Sequence, residues 1–205
     1  MLGGAMDHDS ATTALLELRA LDHHTREELA RTGELFEGYH PRMAAVHRAN
    51  AERLREIVAA IGWPTETKVG ADASEAAWLV LQHAIGEPAL LRAMLPVIQA
   101  HARRGELPGW QAAMLEDRVR ALEGREQRYG TQLDWDEHGQ LVTWPAVEEP
   151  ETVDERRAVV GLPPLAETLA EKRRAAAAEG ERGPSDVEAR RREGEAWARA
   201  VGWRG

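Results

Sequence analysis

Cysteine is absent from the 205 residues. That excludes a disulfide framework, thiolate catalysis and thiolate metal sites. Aromatic residues are few: one Phe, two Tyr and seven Trp. No excess of positive charge exists, since the net charge is -9 and the pI about 5.4. Phosphate backbones and anionic lipid surfaces are bound through clustered positive charge, so neither nucleic acid nor a membrane surface is expected as the main partner. No apolar run approaches the roughly 18–20 residues of a membrane-spanning helix. Residues 1–30 lack the basic start and apolar run of a signal peptide, so a cytoplasmic location is expected. The usual motifs are missing too. There is no P-loop, G-x-G-x-x-G, G-x-S-x-G or H-E-x-x-H, so no cofactor is implied and none is assigned.

What is present is a run of helical stripes. The content of 43% hydrophobic and 30% charged residues is that of a globular chain. Ala is abundant and Arg greatly outnumbers Lys, a bias of GC-rich bacterial coding. After a loose start over residues 1–9, Asp9 or Ser10 caps a helix that ends near Gly33. Its inner stripe is Leu15, Leu18, Asp22, Thr25 and Leu29. Asp22 falls on that stripe, and Arg26 lies four residues later. Pro41 opens a second helix with the stripe Met43, Val46, Asn50, Leu54, Ile57 and Ile61, ended by Gly62. Asn50 sits among apolar positions, where a buried amide needs partners.

The stretch Val69–Ala84 is the centre of the chain. A Val-Gly turn and an acidic start lead into an apolar helix with Gln82 and His83 near its far end. A fourth helix begins at Glu87-Pro88, and Pro96 within it should kink it or break a hydrogen bond. Pro108 opens a fifth to about Glu123, with Asp117 and Arg118 at the edge of its core face. Short extended runs then give a β-hairpin within about 131–144. Thr152-x-x-Glu155 is a capping box for a short helix. A further helix follows over about 165–178.

The expected architecture is therefore a mainly α-helical, compact multi-helix domain over 1–178, with one small hairpin and a C-terminal helical extension. Residues 179–205 read as a Gly/Pro-rich linker plus an Arg-rich helical tail. The tail's Trp197 and Trp203 suit either a frayed, solvated helix or an arm that docks on the body, a second copy or a protein partner.

Polar residues on or near apolar faces mark the candidate site: Asp22, Arg26, Asn50, Gln82, His83, Asp117, Arg118, Tyr129 and Gln132. His83 has a reference pKa near neutrality and is the candidate catalytic acid/base. Arg26 and Arg118 suit a carboxylate or phosphate. Asp22, Asp117, Asn50, Gln82, Tyr129 and Gln132 complete the ligand-binding set. The expectation is that His83, Arg118 and Gln132 converge on one cavity, with Asn50 and Tyr129 on its wall. With Asp22, the histidines His23, His24, His47 and His83 could form an N/O metal site. No i, i+4 His pair exists, however, and His23 and His24 diverge on a helix, so no metal ligand is assigned.

Gly62-Trp63-Pro64, Val69-Gly70, Ala77-Trp78, Gln82-His83-Ala84, Asp117-Arg118-Val119, Gly124-Arg125, Tyr129-Gly130-Thr131-Gln132, Val153-Asp154-Glu155-Arg156-Arg157, Gly161-Leu162 and Pro164-Leu165 occur in this order. In this set the chain resembles an uncharacterised bacterial domain-of-unknown-function family, frequent in actinobacteria, over roughly residues 14–170. The resemblance implies a mainly helical cytoplasmic domain and supplies no reaction. Two functions stay open. One is an enzyme binding a small polar or anionic metabolite between helices, with His83 as acid/base. The other is a non-catalytic interaction or regulatory module whose polar network is purely structural.

Overall fold

The computed structural model describes residues 6–34 and 39–205. The first five residues of the expected loose start lie outside the described residues. The described residues are mainly helical, with one two-stranded antiparallel sheet and a C-terminal helix. They form two compact units, 1–98 and 99–205.

The first unit is built on α1 (His8–Thr32), α2 (Pro41–Ile61), α3 (Glu66–Val69) and α4 (Ala71–His83). Asp7 caps α1 by accepting from the Ser10 backbone N–H at 2.8 Å, so the helix starts slightly before the expected caps. Pro41 opens α2 as expected. Gly62 ends α2 at φ +72, and Lys68 Nζ donates to the Ile61 carbonyl at 2.6 Å and the Trp63 carbonyl at 3.1 Å. An ammonium there satisfies carbonyls that the helix end leaves unpaired. The short helix α3 occupies a stretch that periodicity reads only as a connector. Four residues are too few to show a stripe.

α4 is buried around most of its circumference and packs on α1 and α2. Ala73, Ala76 and Ala77 are small enough to let neighbouring helices approach closely. Leu15 from α1, Leu54 and Ile57 from α2 and Leu81 from α4 are fully buried. Each such side chain contributes about 1.5–3 kcal/mol by leaving water. Surrounding Asp22 with this apolar packing is what makes its charge matter.

Helix α5 (Pro88–Arg103) passes from the first unit into the second and runs through Pro96 without interruption. The second unit holds α6 (Gly109–Leu122), β1 (Leu133–Trp135), β2 (Leu141–Thr143), a 3-10 turn (Pro150–Thr152), α7 (Val153–Val159), α8 (Leu165–Glu179) and α9 (Val187–Ala200). The hairpin pairs Leu133 with Thr143 and Trp135 with Leu141. Asp136 closes its turn by accepting from the N–H groups of His138 and Gln140. The expected capping box at Thr152 does not form. Thr152 belongs to the 3-10 turn, and its hydroxyl donates to the Glu149 carbonyl and accepts from Arg156.

The C-terminal residues are tied to this unit. Trp203 is buried, and the Arg204 guanidinium donates to the carbonyls of Leu122 and Ala121 at the end of α6. Arg191 lies over the Trp144 ring at 3.6 Å, a cation–π contact.

Two measurements check this packing. Leu54→Ala should lower stability by about 2–5 kcal/mol in urea unfolding, the cost of a cavity in a tight core. Limited proteolysis should cut first within residues 179–185, and Arg204→Ala should speed that cut by releasing the C-terminal anchor.

Candidate functional site

In the first unit, three helices each deliver one polar side chain to a single point. Asp22 comes from the inner stripe of α1, His47 from the second turn of α2, and His83 is the last residue of α4. The Asp22 carboxylate is 0% exposed. Its Oδ2 accepts from His83 Nδ1 at 2.8 Å. His47 Nε2 stands 3.2 Å from the same oxygen, without the alignment of a hydrogen bond. The two imidazole centroids are 5.0 Å apart. Tyr39 then bonds His47 Nδ1 through its hydroxyl at 2.8 Å. The His83 side chain remains 31% exposed, whereas that of His47 is only 11% exposed. Solvent therefore reaches the centre from the His83 side.

Burial by itself pushes the Asp22 carboxyl up. The imidazoles of His47 and His83 outweigh it and hold the group well below the usual carboxylate range. Asp22 is thus a fixed negative charge in an apolar surround. Burial, together with that charge, pushes the Tyr39 phenol up to about 12, so its proton stays on. A neutral Tyr39 can accept from His47 Nδ1–H or donate to it, and this choice decides which nitrogen of His47 presents a lone pair.

Several buried atoms of the first unit lack partners among the described residues. They include Asp22 Oδ1, His47 Nε2, Asn50 Oδ1 and both side-chain amide atoms of Gln82. Asn50 does donate to the Leu18 carbonyl of α1 at 3.1 Å, as its mid-stripe position predicts. An amide with both ends unpaired is unusual inside a protein, because each unsatisfied group costs about 1–3 kcal/mol. Arg26, four residues after Asp22, is exposed.

The rest of the expected set lies in the second unit, and there much of it is committed to structure. Asp117 is fully buried and its two oxygens accept from the N–H groups of Arg128, Tyr129 and Thr131 and from the Thr131 hydroxyl. Gln127 uses its whole amide within the same loop, donating to the Gln132 and Pro145 carbonyls and accepting from Gln132 N–H. The Gln132 side chain donates to Thr131. Arg157, also buried, donates to the carbonyls of Tyr129 and Pro163 and to Thr168. Gly130 completes the clamp at φ +68, where a Cβ would meet Leu165, Thr143 and Val147 at 3.1 Å. Arg118 differs. Its Nε is buried without a partner among the described residues, and burial pushes the guanidinium down to about 10, still cationic at neutral pH.

His83 and Asp22 were thus legible as candidates, and the structure joins them directly. His47 was seen only as one of several scattered histidines, and Tyr39 was missed. One signal for His47 existed: it follows Met43 by one turn on the buried side of α2. The i, i+4 pattern concerns one helix, whereas these two imidazoles come from different helices. Among the described residues, Asp22, His47 and His83 are the one group of three acidic or imidazole side chains spaced to hold a metal ion.

Comparison with known proteins gives one match. A model of a family of unknown function, DUF6624, covers residues 14–177. No curated protein and no solved structure matches the chain.

The Asp22 shift sets a pH dependence. The folded carboxyl holds its proton less well than the unfolded one, whose pKa is about 3.9. The stabilisation is therefore complete above about pH 4 and is lost as the pH falls below it. Unfolding followed from pH 6 to pH 2 should show a steep acid-side loss in the wild type and a shallower one in Asp22→Asn.

Proposed function

We propose, for a chain that belongs to the DUF6624 family, that its first unit binds and transforms a small polar or anionic metabolite with His83 as acid/base. The observation that carries this reading is the Asp22–His83 pair. A fully buried carboxylate accepts from Nδ1 of an imidazole whose side chain stays accessible. That contact fixes the ring and its tautomer, leaving Nε2 as the atom that exchanges a proton with a ligand. The carboxylate also stabilises the imidazolium formed when Nε2 takes a proton. Hydrolysis, elimination or isomerisation all suit such a group.

The unpaired amide atoms of Gln82 and Asn50 support a polar ligand, since an alcohol or amide would donate to Asn50 Oδ1 and Gln82 Oε1 and accept from Gln82 Nε2.

The test is His83→Ala, screened beside the wild type against small carboxylates, inorganic phosphate and their esters by thermal shift and by turnover. On this reading the variant loses the ligand response and turnover, and its melting temperature stays close to that of the wild type. In a purely structural network no ligand response exists in either protein, and the same substitution costs about 1–3 kcal/mol of stability.

A further inference from the structure

We propose that Asp22, His47 and His83 form a binding site for one divalent transition-metal ion of the zinc or iron type. The inference rests on the reading that this cluster is the working centre of the first unit. It names the cofactor of that centre.

The spacing is the first argument. Ligand atoms about 2.0–2.2 Å from a tetrahedral zinc stand about 3.3–3.6 Å from one another. Asp22 Oδ2 already lies 2.8 Å from His83 Nδ1 and 3.2 Å from His47 Nε2, and all three ligand atoms fall within 4.8 Å. Small side-chain rotations suffice to bring three donors around a common ion.

The unpaired atoms are the second argument. Asp22 Oδ1 and His47 Nε2 are buried and unpartnered among the described residues, although Nε2 sits within 3.2 Å of a carboxylate oxygen. If the Tyr39 hydroxyl accepts from His47 Nδ1–H, Nε2 turns a lone pair toward that oxygen. In that tautomer two electron-rich atoms face one another in an apolar surround, and a cation between them would relieve the repulsion. The Tyr39 contact is also the kind of outer partner that orients a ligating imidazole.

Donor chemistry and access choose the ion. Two imidazoles and one carboxylate suit zinc, iron or manganese, whereas magnesium and calcium prefer all-oxygen sets. Three protein donors leave room for water or substrate, and the partly exposed His83 side gives entry. When the ion binds, the Nδ1 proton of His83 leaves to solvent and that nitrogen becomes a ligand. In the metal-loaded protein His83 would serve as a ligand, and a water held by the ion would supply the acid/base group at that centre.

Full-length protein stripped with chelator is titrated with Co2+ as a spectroscopic probe, then with Zn2+, and separately with Mg2+. The expected result is one equivalent of Co2+ with visible ligand-field absorption, displaced by Zn2+ and not by Mg2+. His47→Gln, His83→Gln and Asp22→Asn should each weaken binding by more than about 100-fold, and Tyr39→Phe by about 10–100-fold. His101→Gln, whose imidazole pairs with Glu106 in the second unit, should leave it unchanged. Circular dichroism reports whether each variant folds. Tyr39→Phe removes only a hydroxyl outside the donor set, so it remains informative if Asp22→Asn does not fold. Equal affinity in the wild type and His83→Gln, or no binding to folded wild type, would overturn the site. If folded wild type binds no Co2+ yet shows a His83-dependent response to the carboxylate and phosphate panel, only the metal inference falls. If Co2+ binds as expected and no ligand in the panel elicits a response, the metal site stands and the metabolite reading falls.

Discussion

A carboxylate with no access to water is the constraint on which the first unit turns. Asp22 sits at 0% exposure on the inner stripe of α1. An isolated charge there would neutralise itself or prevent folding. It stays ionised because α2 and α4 each bring an imidazole to the same oxygen. The register of three helices is therefore tied to one oxygen atom. The alanines of α4 and the leucines of α1 and α2 are buried in the same unit, and such apolar packing raises the worth of a polar contact inside it.

The second unit shows what a purely structural solution looks like in the same chain. Asp117 is equally buried, yet its oxygens receive three backbone N–H groups and a hydroxyl. Gln127 and Arg157 likewise direct their polar atoms to carbonyls and a hydroxyl, and Gln127 also accepts a backbone N–H. That clamp holds the Tyr129–Gln132 loop against α7 and α8. Its contacts account for the Asp117, Tyr129-Gly130-Thr131-Gln132 and Arg157 motifs as folding devices. The motifs of the second unit thus serve folding, whereas the Gln82-His83-Ala84 motif supplies residues of the candidate site, so the two roles are told apart by the satisfaction of each polar atom.

Periodicity made most of the helices legible, because amphipathic stripes in α1, α2 and α6 record which face is covered. Asn50 was placed correctly on that basis, and so was the hairpin, which alternation and a turn signal define. What stayed hidden has physical reasons. The helix α3 is barely one turn long, too short for a stripe to repeat. Thr152 has the residue pattern of a capping box, but the turn before it takes its hydroxyl. His47 falls at the flank of its stripe, where periodicity does not separate a buried side chain from an edge one. Its role depends on Asp22, 25 positions earlier, and no spacing rule within one helix connects them. Tyr39 lies outside any regular element.

The contrast between the two buried carboxylates carries the functional argument furthest. Folding alone explains Asp117, since removing it would strand the backbone donors it serves. Folding alone leaves Asp22 half explained. One of its oxygens is shared by two imidazoles while the other has no partner among the described residues, and the amide of Gln82, next to His83 in the chain, is unpaired at both ends. A network selected only for stability would lose free energy at each of these atoms, about 1–3 kcal/mol apiece, for nothing in return. Apolar residues of similar volume would pack the same space without that loss. Groups kept in such a state are tolerated where another species completes them. On the proposed reading, a cation would complete the carboxylate oxygen and the imidazole nitrogen, and a polar ligand the unpaired amide atoms.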